Sequence, residues 1–135
     1  MQVNPDADAD AMQRLNRAGF FEKGFAYYGW LIAIQSAVVR VAVNFNIPLI
    51  FYGEDGEVEY GGSTKSKNGA LFDIEYMRKI YLEGGHDKVI KASGLSESQL
   101  YFFQFPSDNE LQGKELSLTH WSYFEAWNPY NNYLT

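Results

Sequence analysis

The sequence predicts an α/β fold built on a parallel sheet. Three observations carry that prediction: a long apolar segment with helical periodicity, a short continuously apolar run directly after it, and a second, loosely alternating run far downstream. Leu31, Ile34, Val38, Val41, Ala42 and Phe45 recur at helical spacing and make Tyr27 to Phe45 the main helix. Asn46, Ile47 and Pro48 end it, because the residue before a proline avoids the α region. Ile47 to Tyr52 is apolar without interruption, the pattern of a strand buried on both faces. A long helix feeding such a strand is half of a βαβ unit.

The other elements follow in order. Asp6, Asp8 and Asp10 are spaced like the start of a calcium loop, but Ala11 and Arg17 stand where that loop needs glycine and glutamate. They read instead as the acidic first turn of a helix reaching about Ala18, where they suit the helix dipole. Gly53 to Lys67 is polar and glycine-rich, a loop leaving the strand's carboxyl end. Phe72, Ile74, Met77, Ile80 and Tyr81 form an amphipathic helix closed by Gly84 and Gly85. His86 to Ser93 is a short helix stopped by Gly94. The pairs Ser96/Gln99 and Ser107/Glu110 are capping boxes, so a short helix begins at each. Glu115 to Trp121 reads as the second strand, with Leu116, Leu118 and His120 on one side. The tail after Ser122 is rich in aromatics: Tyr123, Phe124, Trp127, Tyr130 and Tyr133.

Composition excludes several classes. The 135 residues suffice for one domain or part of one, and 46% hydrophobic with 21% charged residues is ordinary for a globular chain. A net charge of −6 without a basic run argues against nucleic-acid partners and anionic lipid. There is no cysteine, hence no disulfide, thiolate metal site or cysteine nucleophile in these residues. The most apolar stretch, Phe25 to Phe45, is broken by Gln35, Ser36, Arg40 and Asn44. It falls short of the roughly 20 apolar residues that a membrane span needs. The first residues have neither a basic region nor an apolar one, so no signal peptide is read, and a cytoplasmic location is expected. Aromatic residues make up 17% of the chain, which fits an aromatic core or a surface that stacks on sugars or bases.

Chemistry concentrates after the first strand. Glu54, Asp55, Glu57 and Glu59 are close in sequence where ligands of open α/β sheets bind, beyond the carboxyl ends of the strands. Carboxylates there can hold Mg²⁺ on a nucleotide, orient an amine or act as a general base. A solvated acidic turn around Asp55 and Gly56 accounts for the same residues. Gly61 to Lys65 could cradle an anion through backbone amides, a hydroxyl and an ammonium, but it is not a Walker A loop. His86, after two glycines, reads as a cap or a solvent-facing residue. His120, at the end of the second strand, is the better functional candidate and would face the same crevice as Glu54. A satisfied buried histidine beside Trp121 is the structural alternative. Trp30 and Arg40, on the long helix, read as structural.

The segment from Ile47 to Gly62 resembles the hallmark of the N-acetyl sugar amidotransferases of bacterial surface-polysaccharide (lipopolysaccharide and O-antigen) biosynthesis. These belong to the PP-loop ATP-pyrophosphatase superfamily, whose fold is adenine nucleotide alpha-hydrolase-like. The resemblance continues at Asn4 and Pro5, Arg14 to Arg17, Phe72 to Tyr76, Tyr81 to Gly85, Phe105 to Asp108, and His120 to Glu125 with Trp127, Pro129 and Tyr130. The family's Ser-Gly-Gly-x-Asp-Ser phosphate loop has no counterpart, since Gly61, Gly62 and Ser63 lie in another context. The resemblance therefore implies one partial α/β domain over residues 1–135, the middle of a longer enzyme. Val3 would end strand 3 of a sheet ordered 3-2-1-4-5. Ile47–Tyr52 would be strand 4 and Glu115–Trp121 strand 5, without strands 1 and 2. Such a piece is expected to be inactive alone, marginally stable or prone to aggregate, with an open strand edge and uncovered apolar faces.

The resemblance also implies an activity. The intact enzyme would use ATP and Mg²⁺ to activate the acetamido oxygen of a nucleotide-linked N-acetyl sugar as an adenylate. Ammonia from a separate glutaminase subunit would then displace AMP and leave an acetamidino sugar. Glu54 and Asp55 would handle Mg²⁺-pyrophosphate or ammonia. Gly53, Glu57, Glu59 and Tyr60 would serve sugar or nucleotide groups. Ser63 and Thr64 would touch phosphate, and His120 and Trp121 would line the sugar side. The rival reading is a non-catalytic carbohydrate-binding module or a vestigial homologue, motivated by the aromatic content and the missing phosphate loop.

Overall fold

The computed structural model describes residues 8–53, 71–82, 86–125 and 128–134. The first helix, α1 (Ala9–Lys23), starts where Asp8 Oδ1 accepts the backbone N–H groups of Asp10 and Ala11, so Asp8 is the N-cap. It runs past the expected end at Ala18 and stops at Gly24, which takes the left-handed conformation with φ 73°. Helix α2 (Tyr28–Asn44) follows after a bend of 115°. The two helices touch through glycines. A Cβ on Gly19 would lie 2.3 Å from Tyr28 Cβ, and one on Gly29 would lie 2.7 Å from Leu15 Cβ. No single helix among the described residues is long and apolar enough to cross a membrane.

Helix α2 matches its expected bounds, but its buried face does not. Tyr28, Ile32, Gln35, Ser36, Val39, Arg40 and Val43 are buried, whereas Val38 and Phe45 of the expected stripe are exposed. The reason is polar. The Arg40 guanidinium donates to Gln104 O and Phe105 O and pairs with Glu110 at 3.2 Å. It also lies over the Tyr101 ring, 4.4 Å from the centroid. Ser36 Oγ lies 2.7 Å from both Ile32 O and Phe102 O. These anchors tie α2 to the 100–106 segment, where Leu100, Phe103 and Phe105 join the core. The structural reading of Arg40 agrees with this.

Strand β1 (Leu49–Tyr52) begins two residues later than expected, because Asn46 and Ile47 close α2. Asn46 takes φ 53°, Ile47 N–H donates to Ala42 O at 2.8 Å and Asn46 N–H donates to Val43 O at 3.3 Å. This is the Schellman pattern with Asn in the glycine position. The expectation of burial on both faces fails for β1. Ile50 is buried, but Leu49 and Phe51 are about half exposed on the other face.

Between the strands lie α3 (Ile74–Tyr76), which widens into a π-helical turn over Met77–Tyr81, then α4 (Asp87–Ser93) and α5 (Asp108–Leu111). The expected helix over 72–81 is thus helical from Ile74 to Tyr81, while Phe72 lies outside it and bridges to Leu118. Helix α4 ends at Gly94 as expected, with φ 62°. Arg14 of α1 donates to the Ser93 and Gly94 carbonyls at its end. No helix starts at Ser96, where turns follow. The Gln99 side chain accepts from both the Ser96 backbone N–H, at 3.2 Å, and the Ser96 hydroxyl, at 2.9 Å, which is the Gln99 half of the box. At Ser107 both halves of the box form and α5 begins. Strand β2 (Ser117–His120) leads into a 3-10 turn, Trp121–Tyr123, and α6 (Pro129–Leu134) closes the described chain.

The fold is mixed α/β with a parallel sheet, as expected at that level. Leu49 pairs with Ser117, Ile50 with Leu118, Phe51 with Thr119 and Tyr52 with His120. The far side of β2 carries the antiparallel bridge between Phe72 and Leu118. Among the described residues no strand pairs with the far edge of β1. Ile50 and Leu118 enter one core with Ile32, Val39, Ala42 and Val43 of α2. The expected strand ending at Val3, and Gly84 and Gly85, lie outside the described residues.

Two outcomes are expected. Gly19→Ala gains about 1 kcal/mol of helix propensity. The new methyl, however, sits inside contact distance of Tyr28, so the variant loses stability by about 1–3 kcal/mol in urea unfolding. Leu49→Lys places a charge on the open apolar edge strand. It reduces self-association in sedimentation velocity and shifts the unfolding free energy by no more than about 0.5 kcal/mol.

Candidate functional site

Parallel pairing sends β1 and β2 out of the sheet at the same end. Gly53 leaves β1 there, and Trp121 leaves β2 beside it. The register sets Tyr52 against His120, and their rings stack at 5.3 Å with an interplanar angle of 20°. Phe72 meets His120 edge to face at 6.2 Å and stacks on Tyr76 at 4.6 Å. This layer encloses His120, which is only 4% exposed. The imidazole thus has the buried setting of a structural histidine.

The alternation of the strands puts Phe51, Thr119 and Trp121 on the opposite face. Phe51 stacks on Phe124 with centroids 6.1 Å apart, and Trp121 meets Phe51 at 5.9 Å and 61°. Thr119 is buried, but the three rings are open to solvent. The carboxyl end therefore has one closed aromatic layer around His120 and one open layer around Phe51.

Of the residues singled out from sequence, Gly53, His120 and Trp121 come together at this end. Glu54, Asp55, Glu57, Glu59, Tyr60, Ser63 and Thr64 lie outside the described residues. His120 and Trp121 do not share one surface, since the first is enclosed and the second is open. Sequence reasoning missed Phe51, Phe72 and Phe124. No signal in the run from Leu49 to Tyr52 sets Phe51 apart, because four apolar residues in a row do not mark which side faces inward. Among the described residues no three His, Asp or Glu side chains converge as metal ligands. Two clefts lie away from this end. One of about 330 Å³ sits at the amino ends of the strands, by Asn46, Pro48, Lys114 and Glu115. Another of about 380 Å³ lies between α1 and α4, by Arg14, Arg17, Phe21 and Ser93.

His86 is the N-cap residue of α4, as one of the two sequence readings had it, but its side chain makes no capping bond and does not face solvent, which corrects the other. It is buried against Phe105, with centroids 5.6 Å apart, and Nδ1 finds no hydrogen-bond partner among the described residues. Burial holds its pKa below the ordinary 6.5. Asp87 opposes that shift and Arg78 reinforces it. The unfolded chain then binds the proton more readily than the folded one, so stability falls as pH drops from the unfolded value toward the lower folded value. Unfolding free energies measured from about pH 8 to pH 5 decline below about 6.5, and His86→Leu flattens that decline.

No protein-family model matches the chain, and no curated protein matches it at a significant level.

Proposed function

We propose that this chain is part of an ATP-dependent amidotransferase that converts the acetamido group of a nucleotide-linked N-acetyl sugar into an acetamidino group. The observation that carries the reading is the parallel register of Tyr52 with His120. It joins the two segments with the most particular resemblance to the amidotransferase family, from Ile47 and from His120, at one end of one sheet. That end is where open α/β sheets bind ligands.

An amide is a poor electrophile and its oxygen a poor leaving group, so ATP supplies the activation. The described residues at this end offer the aromatic faces of Phe51, Trp121 and Phe124 and the Gly53 backbone. Carboxylates for Mg²⁺ would come from Glu54 and Asp55, which follow Gly53 directly in the chain. Glu57, Glu59 and Tyr60 would hold sugar or nucleotide hydroxyls, and Ser63 and Thr64 would meet phosphate. His120, enclosed by Tyr52 and Phe72, would act on the site by positioning β2. Ammonia would reach the site from a glutaminase subunit.

The test is the complete gene product. With ATP, Mg²⁺, ammonium and a nucleotide-linked N-acetyl sugar, it should release AMP and pyrophosphate only when the sugar is present. Mass spectrometry of the sugar should show the amide oxygen replaced by NH. Glu54→Gln should lower kcat/KM more than about tenfold, or ~1.4 kcal/mol. Release of AMP that ignores the sugar, or no release at all, overturns the assignment. A non-catalytic carbohydrate-binding role is the second reading, favoured by the open rings of Phe51, Trp121 and Phe124.

A further inference from the structure

The cleft of about 380 Å³ between α1 and α4 has the size of a small-ligand site. Arg14 lines it and is fully engaged. Its Nε donates to Ser93 O at 3.1 Å, Nη2 donates to Gly94 O at 2.7 Å, and Nη1 lies 3.7 Å from the Asp10 carboxylate. Two further charges line the same cleft, Arg17 and Glu22, and both are exposed. Among the described residues neither makes a hydrogen bond or an ion pair, with each other or with any neighbour. Helical spacing explains why they stay apart. Positions 17 and 22 stand about 140° apart around α1 and about 7.5 Å apart along it. Ala18 and Phe21 fall between them on the helix surface, so the cation and the carboxylate border an apolar stripe from opposite sides. Phe20 meets the Phe21 ring edge to face at 5.6 Å and steadies it.

We propose that this cleft binds a small zwitterion, a free amino acid with an apolar side chain. Charge complementarity selects that class. The planar guanidinium of Arg17 offers a fork of N–H donors to a carboxylate. Glu22 accepts from an ammonium, and Phe21 with Ala18 packs against the apolar side chain. A simple anion meets the Glu22 carboxylate and a simple cation meets Arg17 and Arg14, so each is repelled by one side of the cleft. A ligand with both charges satisfies both unpaired groups at once. The contacts are exposed to solvent, so each is weak, and the dissociation constant is about 1 mM. The site is separate from the carboxyl end of the sheet and does not depend on the reaction proposed above.

The test is an amide chemical-shift titration of the full chain with L-leucine. Saturable shifts are expected at the amides of Arg17 to Glu22 and of Ala92 and Ser93. N-acetyl-leucine lacks the ammonium and leucinamide lacks the carboxylate, so each binds about fivefold more weakly than leucine. Arg17→Gln and Glu22→Gln each weaken leucine by about the same factor. Glu22→Gln also abolishes the preference for leucine over N-acetyl-leucine, which a merely structural disturbance does not do. Lys79→Gln, a charge removed from the π-helical turn, leaves leucine binding unchanged. The spectra themselves verify that each variant is folded. An absence of saturable shifts overturns the site. So does equal binding of leucine and N-acetyl-leucine, or leucine binding that is indifferent to both Arg17→Gln and Glu22→Gln.

Discussion

Strands β1 and β2 meet across the whole of residues 53–116, and every feature of the site depends on that meeting. Closing a chain segment of that length costs on the order of 4 kcal/mol of loop entropy. Backbone hydrogen bonds contribute about 1 kcal/mol each, and four-residue strands make few of them. Burial has to supply much of the remainder. Ile50 and Leu118 face each other in register and are both buried, and each contributes about 1.5–3 kcal/mol. The Phe72 bridge adds two backbone bonds of 2.9 Å on the far side of β2. The sheet is thus small, and it is held by the face it turns toward α2.

The same economy explains the polar groups inside. Segment 100–106 has no regular helix or strand, so its carbonyls need partners from elsewhere. Arg40 and Ser36 supply them from α2, and Tyr28 OH supplies one to Leu82 O at 3.0 Å. Gln35 lies in the same stripe at 1% exposure, and its amide finds no hydrogen-bond partner among the described residues. Burying such a group costs about 1–3 kcal/mol. Helix α2 accepts that penalty because turning Gln35 outward would also withdraw Ser36 and Arg40 from the carbonyls they satisfy.

The two faces of the carboxyl end have different physical characters. Around His120 the rings enclose one another and leave no room for a ligand to stack. Around Phe51 they present open faces. A single residue step along a strand separates these two environments, because successive side chains point to opposite sides. Chemistry attributed to this end therefore divides by face. The enclosed side sets strand register, and the open side meets whatever approaches the sheet.

Several features were legible in the sequence because they are local. The helix over Tyr28–Asn44, the cap at Ser107 and the stop at Gly94 each depend on a few neighbouring residues. The continuously apolar run from Ile47 and the loosely alternating run from Glu115 were recognisable as strands, and the long apolar helix leading into the first pointed to a parallel sheet. Tertiary structure alone decided which sides of these elements face inward. Helix α2 carries two apolar stripes, one through Leu31, Ile34 and Val38 and one through Ile32, Val39 and Val43. Periodicity cannot choose between them. The choice falls to Ser36 and Arg40, whose carbonyl partners at Phe102, Gln104 and Phe105 are remote in sequence. β1 poses the same problem, since four apolar residues in a row carry no mark of inside or outside. Its open face exists because the core reaches Ile50 and leaves Phe51 uncovered.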